Sequence, residues 1–468
     1  MTAEGSALPK KHSLPAPSFP DRSTRDRVFA ALEAARQCGR SSTLGILFTD
    51  GYALSTVTVS EAIGDALNAL IAANMVAVDG QQVSATVRLQ YYAGCYFTSD
   101  RPELHRDRFA DFVLGVGFAT RNFAEMMPLR PGSSVLDLGC GCGVLAVLSA
   151  PLASAVMAVD INPRALAFTR FNAELNGFPH IETALGDLFA PVHARRFDVI
   201  VSNAPYVISP ASTYRYRDGG AGICERIARQ APALLTAGGC LMLAASWPEH
   251  RGRSWQGELA HWFESSGCDV WVLATDHLLP DDYARVWLAQ EYGDIVPTEA
   301  INSWLAAYNA ADITMLHCGF VLLSHAPGRE PWIEIRELPP GGGRRGESLD
   351  RILAARDLAA RSDDAALIEL RLAPLAGLEA IERRRPGASG WCVERVDLRA
   401  ADGLRIAMRV DPLAADLLGW MDGSRSAAEA ATAFAQARGL AAETIIGALP
   451  ALLRKLLEAG LIVPATDS

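Results

Sequence analysis

The segment VLDLGCGCGVLAVL, Val135 to Leu148, limits the fold more than any other stretch of the chain. An apolar run with strand character leads in and an apolar run with helix character leads out. Three glycines and two cysteines lie between them, from Gly139 to Gly143. A strand that turns through glycines straight into a helix is the opening unit of a doubly wound α/β sheet. A metal knuckle would need a second Cys/His pair at a characteristic distance. Cys140 and Cys142 have none nearby, so both read as small residues fitted into a tight loop, and no metal is expected. A dinucleotide loop would read G-x-G-x-x-G. Here Gly139, Gly141 and Gly143 give G-x-G-x-G, Val144 stands at the third glycine position, and Asp137 inside the strand would repel a pyrophosphate. A cationic ligand suits that acid, and the glycines let the backbone approach it closely.

Further strands are expected at 134–139, 155–161, 181–186, 197–203, 238–246, 269–275 and 315–325. The first four are separated by helical or short connecting segments such as PRALAFTRFNAELNG, which is the pattern of a parallel sheet with crossover helices. The second strand, in AVMAVDINPRAL, ends on Asp160 and Ile161, and Asp160 lies 17 residues after Gly143. An acid at that strand end can accept both hydroxyls of a ribose. ALGDLF places Asp187 and Leu188 at the end of the third strand. A single acid there would be an N-cap or a solvated turn, but three acids at three successive strand ends share one rim of the sheet.

On these residues the chain resembles the class I S-adenosylmethionine-dependent methyltransferases of the small-domain type, including large multidomain enzymes of actinobacteria. The resemblance implies a Rossmann-like, seven-stranded core between 111 and 336. It also implies S-adenosyl-L-methionine as cofactor, held by Asp137, Gly139, Cys140, Gly141, Gly143, Asp160, Ile161, Asp187, Leu188 and Asn203. In the family, the acid equivalent to Asp187 and the amide equivalent to that of Leu188 contact the adenine. FVLGVGFATRNFAEMM, before the first strand, resembles the lead-in that closes over the cofactor.

The fourth strand runs into Asn203-Ala204-Pro205-Tyr206, which resembles the N-P-P-Y motif of amino-methylating enzymes. An amide or aryl amine is a poor nucleophile because its lone pair is delocalised. The Asn203 side-chain oxygen and the Ala204 carbonyl can hold its two N–H bonds and aim the lone pair at the methyl group, so orientation supplies most of the rate. Tyr206 is expected to stack on a planar substrate. Ala204 in place of proline restores an N–H and removes a fixed backbone angle, which leaves the loop less rigid. Tyr214, Tyr216, Arg217 and Asp218 follow on a loop as candidate substrate contacts. Transfer to oxygen or carbon would instead need a base, and His250, His277 and His317 are the candidates.

Around this core, residues 1–25 read as a disordered tail and 26–110 as a helical, winged-helix-like domain with a hairpin at Asp79-Gly80. ELPPGGGRRGES, 337–348, reads as a linker. Residues 349–468 read as a second winged-helix-like domain, weakly similar to peptide-binding modules, with ERRR at 382–385 as a solvated charge cluster. Helices with apolar faces leave a homodimer open. The formal net charge of −10 argues against a broad nucleic-acid-binding surface without excluding a local basic patch. Nine cysteines without paired spacing fit reduced thiols and a cytoplasmic location, and no run is apolar enough to span a membrane. The expected activity is methyl transfer to an amide or amine nitrogen of a small molecule or peptide. A ribosomal-RNA guanine N-methyltransferase, an O- or C-methyltransferase and a non-catalytic binding protein are the alternatives.

Overall fold

A computed structural model describes residues 15–39, 42–101, 110–210, 222–338, 341–342, 345–387 and 390–465. Two units emerge. One comprises Met1–Ala124, Leu129–His325 and Trp332–Arg336; the other comprises Glu125–Pro128, Ala326–Pro331 and Glu337–Ser468.

The first unit begins with helix α1 (Arg22–Cys38), started by the Asp21 carboxylate, which accepts from Thr24 N–H at 2.6 Å. There follow α2 (Thr43–Gly45), β1 (Leu54–Ser55), α3 (Thr56–Ile63) and α4 (Ala66–Ala72). Then come two hairpins, β2 (Val76–Asp79) with β3 (Gln82–Ala85) and β4 (Arg88–Tyr92) with β5 (Cys95–Ser99). The first hairpin turns at Gly80, where φ is 58°. The second hairpin was not separated from the first by the sequence pattern.

The large sheet follows. Its elements are α5 (Phe118–Met126), β6 (Ser134–Leu138), α6 (Val144–Ser149), β7 (Ala155–Asp160), α7 (Pro163–Leu175), β8 (Glu182–Leu185), β9 (Phe197–Ser202) and α8 (Ile223–Gln230). It continues through β10 (Leu235–His250), α9 (Trp255–Ala260), β11 (Asp269–Leu278), α10 (Pro280–Tyr292), α11 (Thr298–Ala310), β12 (Ile313–Ser324) and β13 (Ile333–Glu337). The strand order is β13-β11-β12-β10-β9-β6-β7-β8. All seven expected strands form, and β13 adds an eighth at one edge. Strands β6 to β10 pair in parallel, whereas β12 runs antiparallel between β10 and β11. From β6 the chain winds outward through β7 and β8, then crosses back to β9 on the other side. The C-terminal ends of β6 and β9 therefore flank the switch point where such sheets bind ligands. Strand β10 pairs with β9 only as far as Leu243, opposite Ser202, but with β12 as far as His250. Its last residues project beyond the rim.

Helix α7 joins the N-terminal part to this sheet through side-chain amides. Asn172 Oδ1 accepts from Thr98 N–H and Thr98 Oγ1, each at 2.8 Å, and Asn172 Nδ2 donates to Thr98 O at 2.9 Å and Cys142 O at 2.8 Å. One turn later Asn176 repeats the pattern, accepting from Tyr96 N–H at 2.8 Å and donating to Tyr96 O at 2.7 Å. Strand β5 thus pairs on one side with two asparagines in place of a further strand. Arg164 on α7 is paired with Asp100, and Phe19 stacks on Phe171 at 4.2 Å. The division at 110 expected from the sequence is therefore not a unit boundary: 26–110 belongs to the same unit as the sheet. The side chains that join them lie about 75 residues apart, beyond any local pattern.

The second unit contains β14 (Gly341–Gly342), α12 (Arg345–Arg361), α13 (Asp364–Glu369), β15 (Leu372–Pro374), β16 (Leu378–Gly387), β17 (Gly390–Ala400), β18 (Gly403–Leu404) and β19 (Ala407–Val410). It ends with α14 (Pro412–Leu418), α15 (Ala427–Arg438), α16 (Ala442–Glu458) and β20 (Ile462–Pro464). Phe434, Leu449, Leu453, Leu456 and Leu457 form its core with Val396 and Leu398. The 337–348 linker is shorter than expected, because helix α12 already starts at Arg345. The cluster 382–385 is exposed, as a charged run should be, but it lies on strand β16. Among the described residues no helix is long and apolar enough to cross a membrane.

Removing the Asn172 amide strands the Thr98 and Cys142 backbone groups in a buried site. Asn172→Ala is expected to lower unfolding stability by at least about 2 kcal/mol in a denaturant titration. A loss below about 0.5 kcal/mol would mean that β5 is held by packing alone.

Candidate functional site

The glycine loop has backbone angles that other residues rarely adopt: φ is 74°, 56° and 79° at Gly139, Gly141 and Gly143. Two of these glycines also make close approaches. A Cβ on Gly139 would lie 3.2 Å from the Ala204 Cβ, and one on Gly143 would lie 2.8 Å from Thr169 Cγ2 on α7. A Cβ on Gly141 would meet nothing within 4 Å, so this turn of backbone stands open.

It opens on a cavity of about 420 Å³ at the switch point. Of the residues singled out from the sequence, Asp137, Gly139, Cys140, Gly141, Asp160, Ile161, Asp187, Leu188, Asn203, Ala204 and Pro205 line it. Gly143 does not; it starts α6 and packs on α7. Cys140 and Cys142 are buried in the loop, with Cys140 Sγ 3.3 Å from Thr169 Oγ1.

Asp137 is 1% exposed, and Oδ2 accepts from Ala146 N–H at 2.9 Å. Burial pushes this carboxyl up to about 7, and the charge of Asp160 adds to the rise. Asp160 holds the loop in place: Oδ2 accepts from Gly141 N–H at 2.9 Å and Oδ1 from Asn162 N–H at 2.8 Å. Asp187 is exposed at the lip, where Arg226 of α8 binds it at 2.7 Å. Next to it, Leu188 has φ 46°, an uncommon left-handed angle for a leucine. Nothing in its residue type signals that.

Asn203 brings the one orphaned polar atom on this lining. Its Oδ1 is buried and has no hydrogen-bond partner among the described residues. An amide oxygen without a partner costs stability unless a ligand or water satisfies it. Tyr206 departs from expectation. It does not line the cavity; its ring packs edge-on against Trp287 of α10, with centroids 5.5 Å apart, so it is not placed to stack on a substrate there. Tyr214, Tyr216, Arg217 and Asp218 lie outside the described residues.

Two sets of contributors were not anticipated in detail. Phe112, Val113, Leu114, Gly115 and Thr120 of the lead-in line the cavity. They are anchored where Asp100 Oδ2 accepts from Val113 N–H and Asn162 Nδ2 donates to Asp111 O. The second set is the helical pair α10–α11. Tyr283 Oη accepts from Ile208 N–H at 3.1 Å, and Tyr308 Oη donates to Ile208 O at 2.6 Å. Both tyrosines are buried, and Val207 packs beside them. Ile208 is thus clamped from both sides, which restrains the chain leaving Asn203–Tyr206 where Ala204 does not. The histidines stand apart from the cavity. His317 is buried, with Nδ1 2.5 Å from His277 Nδ1 and Nε2 3.1 Å from Glu249, while His250 pairs with Glu258. None lines the first cavity among the described residues.

Residues 114–254 match the family model of the methyltransferase small domain. A 152-residue stretch is 38% identical to a ribosomal protein L11 methyltransferase from Janthinobacterium sp. (strain Marseille), covering 30% of this chain and 48% of the relative. A 131-residue stretch is 37% identical to a ribosomal RNA small subunit methyltransferase C from Chromohalobacter salexigens, covering 27% and 37%. A release factor glutamine methyltransferase from Buchnera aphidicola is 30% identical over 128 residues, covering 24% and 46%. The chain spans less than half the length of each of these relatives. The sheet of the first unit is an α/β core of the class I methyltransferase type.

Alanine at the two glycines separates crowding from backbone strain. Gly143→Ala must push into Thr169 as well as adopt a left-handed angle, and is expected to cost about 2–4 kcal/mol. Gly141→Ala carries the angle alone, about 1–2 kcal/mol. Thermal unfolding of the two variants tests the order; equal losses would contradict it.

Proposed function

We propose that the chain transfers the methyl group of S-adenosylmethionine to an amide or amine nitrogen of a small-molecule or peptide substrate. The observation that carries this reading is the buried, unpartnered Asn203 Oδ1 at the lip of the switch-point cavity. When bound, the cofactor supplies a methyl group made electrophilic by a sulfonium.

The residues present fit it. Asp160 lines the cavity at the second strand end, where an acid can accept from ribose hydroxyls, and Ile161 borders the same end. Asp187 and the amide of Leu188 stand at the third strand end for the adenine. The open backbone at Gly141 and the buried carboxyl of Asp137 suit the cationic amino-acid end, with Gly139 and Cys140 beside them. Asn203 Oδ1 and the Ala204 carbonyl accept the two N–H bonds of the acceptor, which aims its lone pair. With no histidine among the described residues of this lining, orientation does the work, and the released proton passes to solvent.

A ribosomal-RNA acceptor is the second reading, favoured by the similarity to the small subunit methyltransferase C. The formal net charge of −10 counts against it. Separating the two requires a screen with methyl-labelled cofactor against metabolite, peptide and RNA fractions.

Two outcomes are expected. Asn203→Ala lowers methyl transfer about 100-fold while cofactor affinity stays within about threefold; an unchanged rate would remove Asn203 from the chemistry. The second concerns pH. Burial holds Asp137 largely protonated below about pH 7, and a cationic ligand favours its ionised form. Cofactor affinity should therefore rise with pH up to about 7 and then level off, with proton release near pH 6 and none near pH 8. Titrations in buffers of different ionisation enthalpy read this directly. Asp137→Asn should flatten the profile.

A further inference from the structure

Beyond the rim, the projecting end of β10 forms one wall of a second cavity, of about 430 Å³. Three indoles line it, Trp247, Trp255 and Trp262, together with Glu225, Glu258 and His250. It adjoins the first cavity across the opening turn of α8: Ile223 lines the first, and Glu225, two residues on, lines the second. Trp247 and Trp255 lie with ring centroids 5.8 Å apart. Trp247 is 2% exposed, and its Nε1 is a buried donor with no partner among the described residues.

The two carboxylates on this lining, Glu225 and Glu258, are joined by two histidines, His250 and His261, each facing a carboxylate, Glu258 and Glu264. No lysine or arginine is among the described residues that line it. The guanidinium partners of the two carboxylates, Arg229 on Glu225 at 2.8 Å and Arg253 on Glu258 at 3.0 Å, stand outside the lining. Glu258 also accepts from His250 Nδ1 at 2.8 Å. An anion entering here would meet carboxylate oxygens and electron-rich indole rings. A cation would meet both favourably. Residue Ala244 follows the pair Leu243–Ser202 and so lies level with Asn203. Trp247 is three residues further along β10, about 10 Å away at the rise of a strand.

We propose that this second cavity takes a cationic, ring-bearing end of the methyl acceptor, an organic ammonium, while the nitrogen to be methylated lies at Asn203. This rests on the methyl-transfer reading and narrows its substrate to an elongated molecule with a positive charge roughly 10 Å from the methylated atom.

Three probes share one ring and differ in charge: phenethylamine, 2-phenylethanol and phenylacetate. Each is titrated calorimetrically into the full chain at pH 7, with S-adenosylhomocysteine titrated separately into the same preparation. Phenethylamine should bind at least about fivefold more tightly than the alcohol, and phenylacetate more weakly than either. Trp255→Leu and Glu258→Gln should each weaken phenethylamine at least about fivefold and leave S-adenosylhomocysteine unchanged. Phenylacetate binding as tightly as phenethylamine, or no phenethylamine binding by a chain that binds S-adenosylhomocysteine, would overturn the cation site alone. Phenethylamine binding without S-adenosylhomocysteine binding would overturn the methyl-transfer reading and leave the cation site standing.

Discussion

The arrangement around the first cavity depends on the side-chain amides of α7. Asn172 binds strand β5 on one side and the carbonyl of Cys142, in the glycine loop, on the other. Asn162, at the start of the same helix, caps it and holds Asp111 of the lead-in. One rigid helix therefore sets the positions of the glycine loop, the lead-in and the N-terminal hairpins. Asparagine suits this work because a single side chain both donates and accepts, as a strand backbone does. Buried and fully satisfied, such a network fixes one arrangement; with a member missing, it leaves backbone groups without partners.

Against that scaffold the cavity itself is left with unfinished chemistry. Asp137 is buried, and burial raises its proton affinity. Asn203 Oδ1 is buried with no partner among the described residues. Leu188 holds a left-handed angle. The first two are costs to folding that a bound molecule can relieve, and all three residues line the cavity. The clamp on Ile208 adds a different device. Just beyond Asn203–Tyr206, one tyrosine from α10 and one from α11 hold the chain at Ile208.

Much of this was legible in the chain. Apolar runs that end at Gly139, Asp160 and Asn203 mark β6, β7 and β9, because parallel strands are buried on both faces. The acids at three strand ends fall on one cavity because the winding of the sheet brings those ends together. What escaped is what depends on distant partners. Tyr206 turned to Trp287, a residue 81 positions away on a helix that the pattern did not separate from its surroundings. Asn172 and Asn176 look like ordinary polar positions of an amphipathic helix until β5 is docked on them. Strand β16 carries a charged run and is exposed along most of its length, so no alternation of apolar and polar residues marks it.

The account stands most directly on the first cavity binding S-adenosylmethionine through the second-strand acid. Calorimetric titration of the full chain and of Asp160→Ala measures it. The account predicts binding by the unaltered chain and a loss of at least about tenfold in affinity, some 1.4 kcal/mol, in the variant. Equal affinity in the two proteins, or no binding by the unaltered chain, would contradict it.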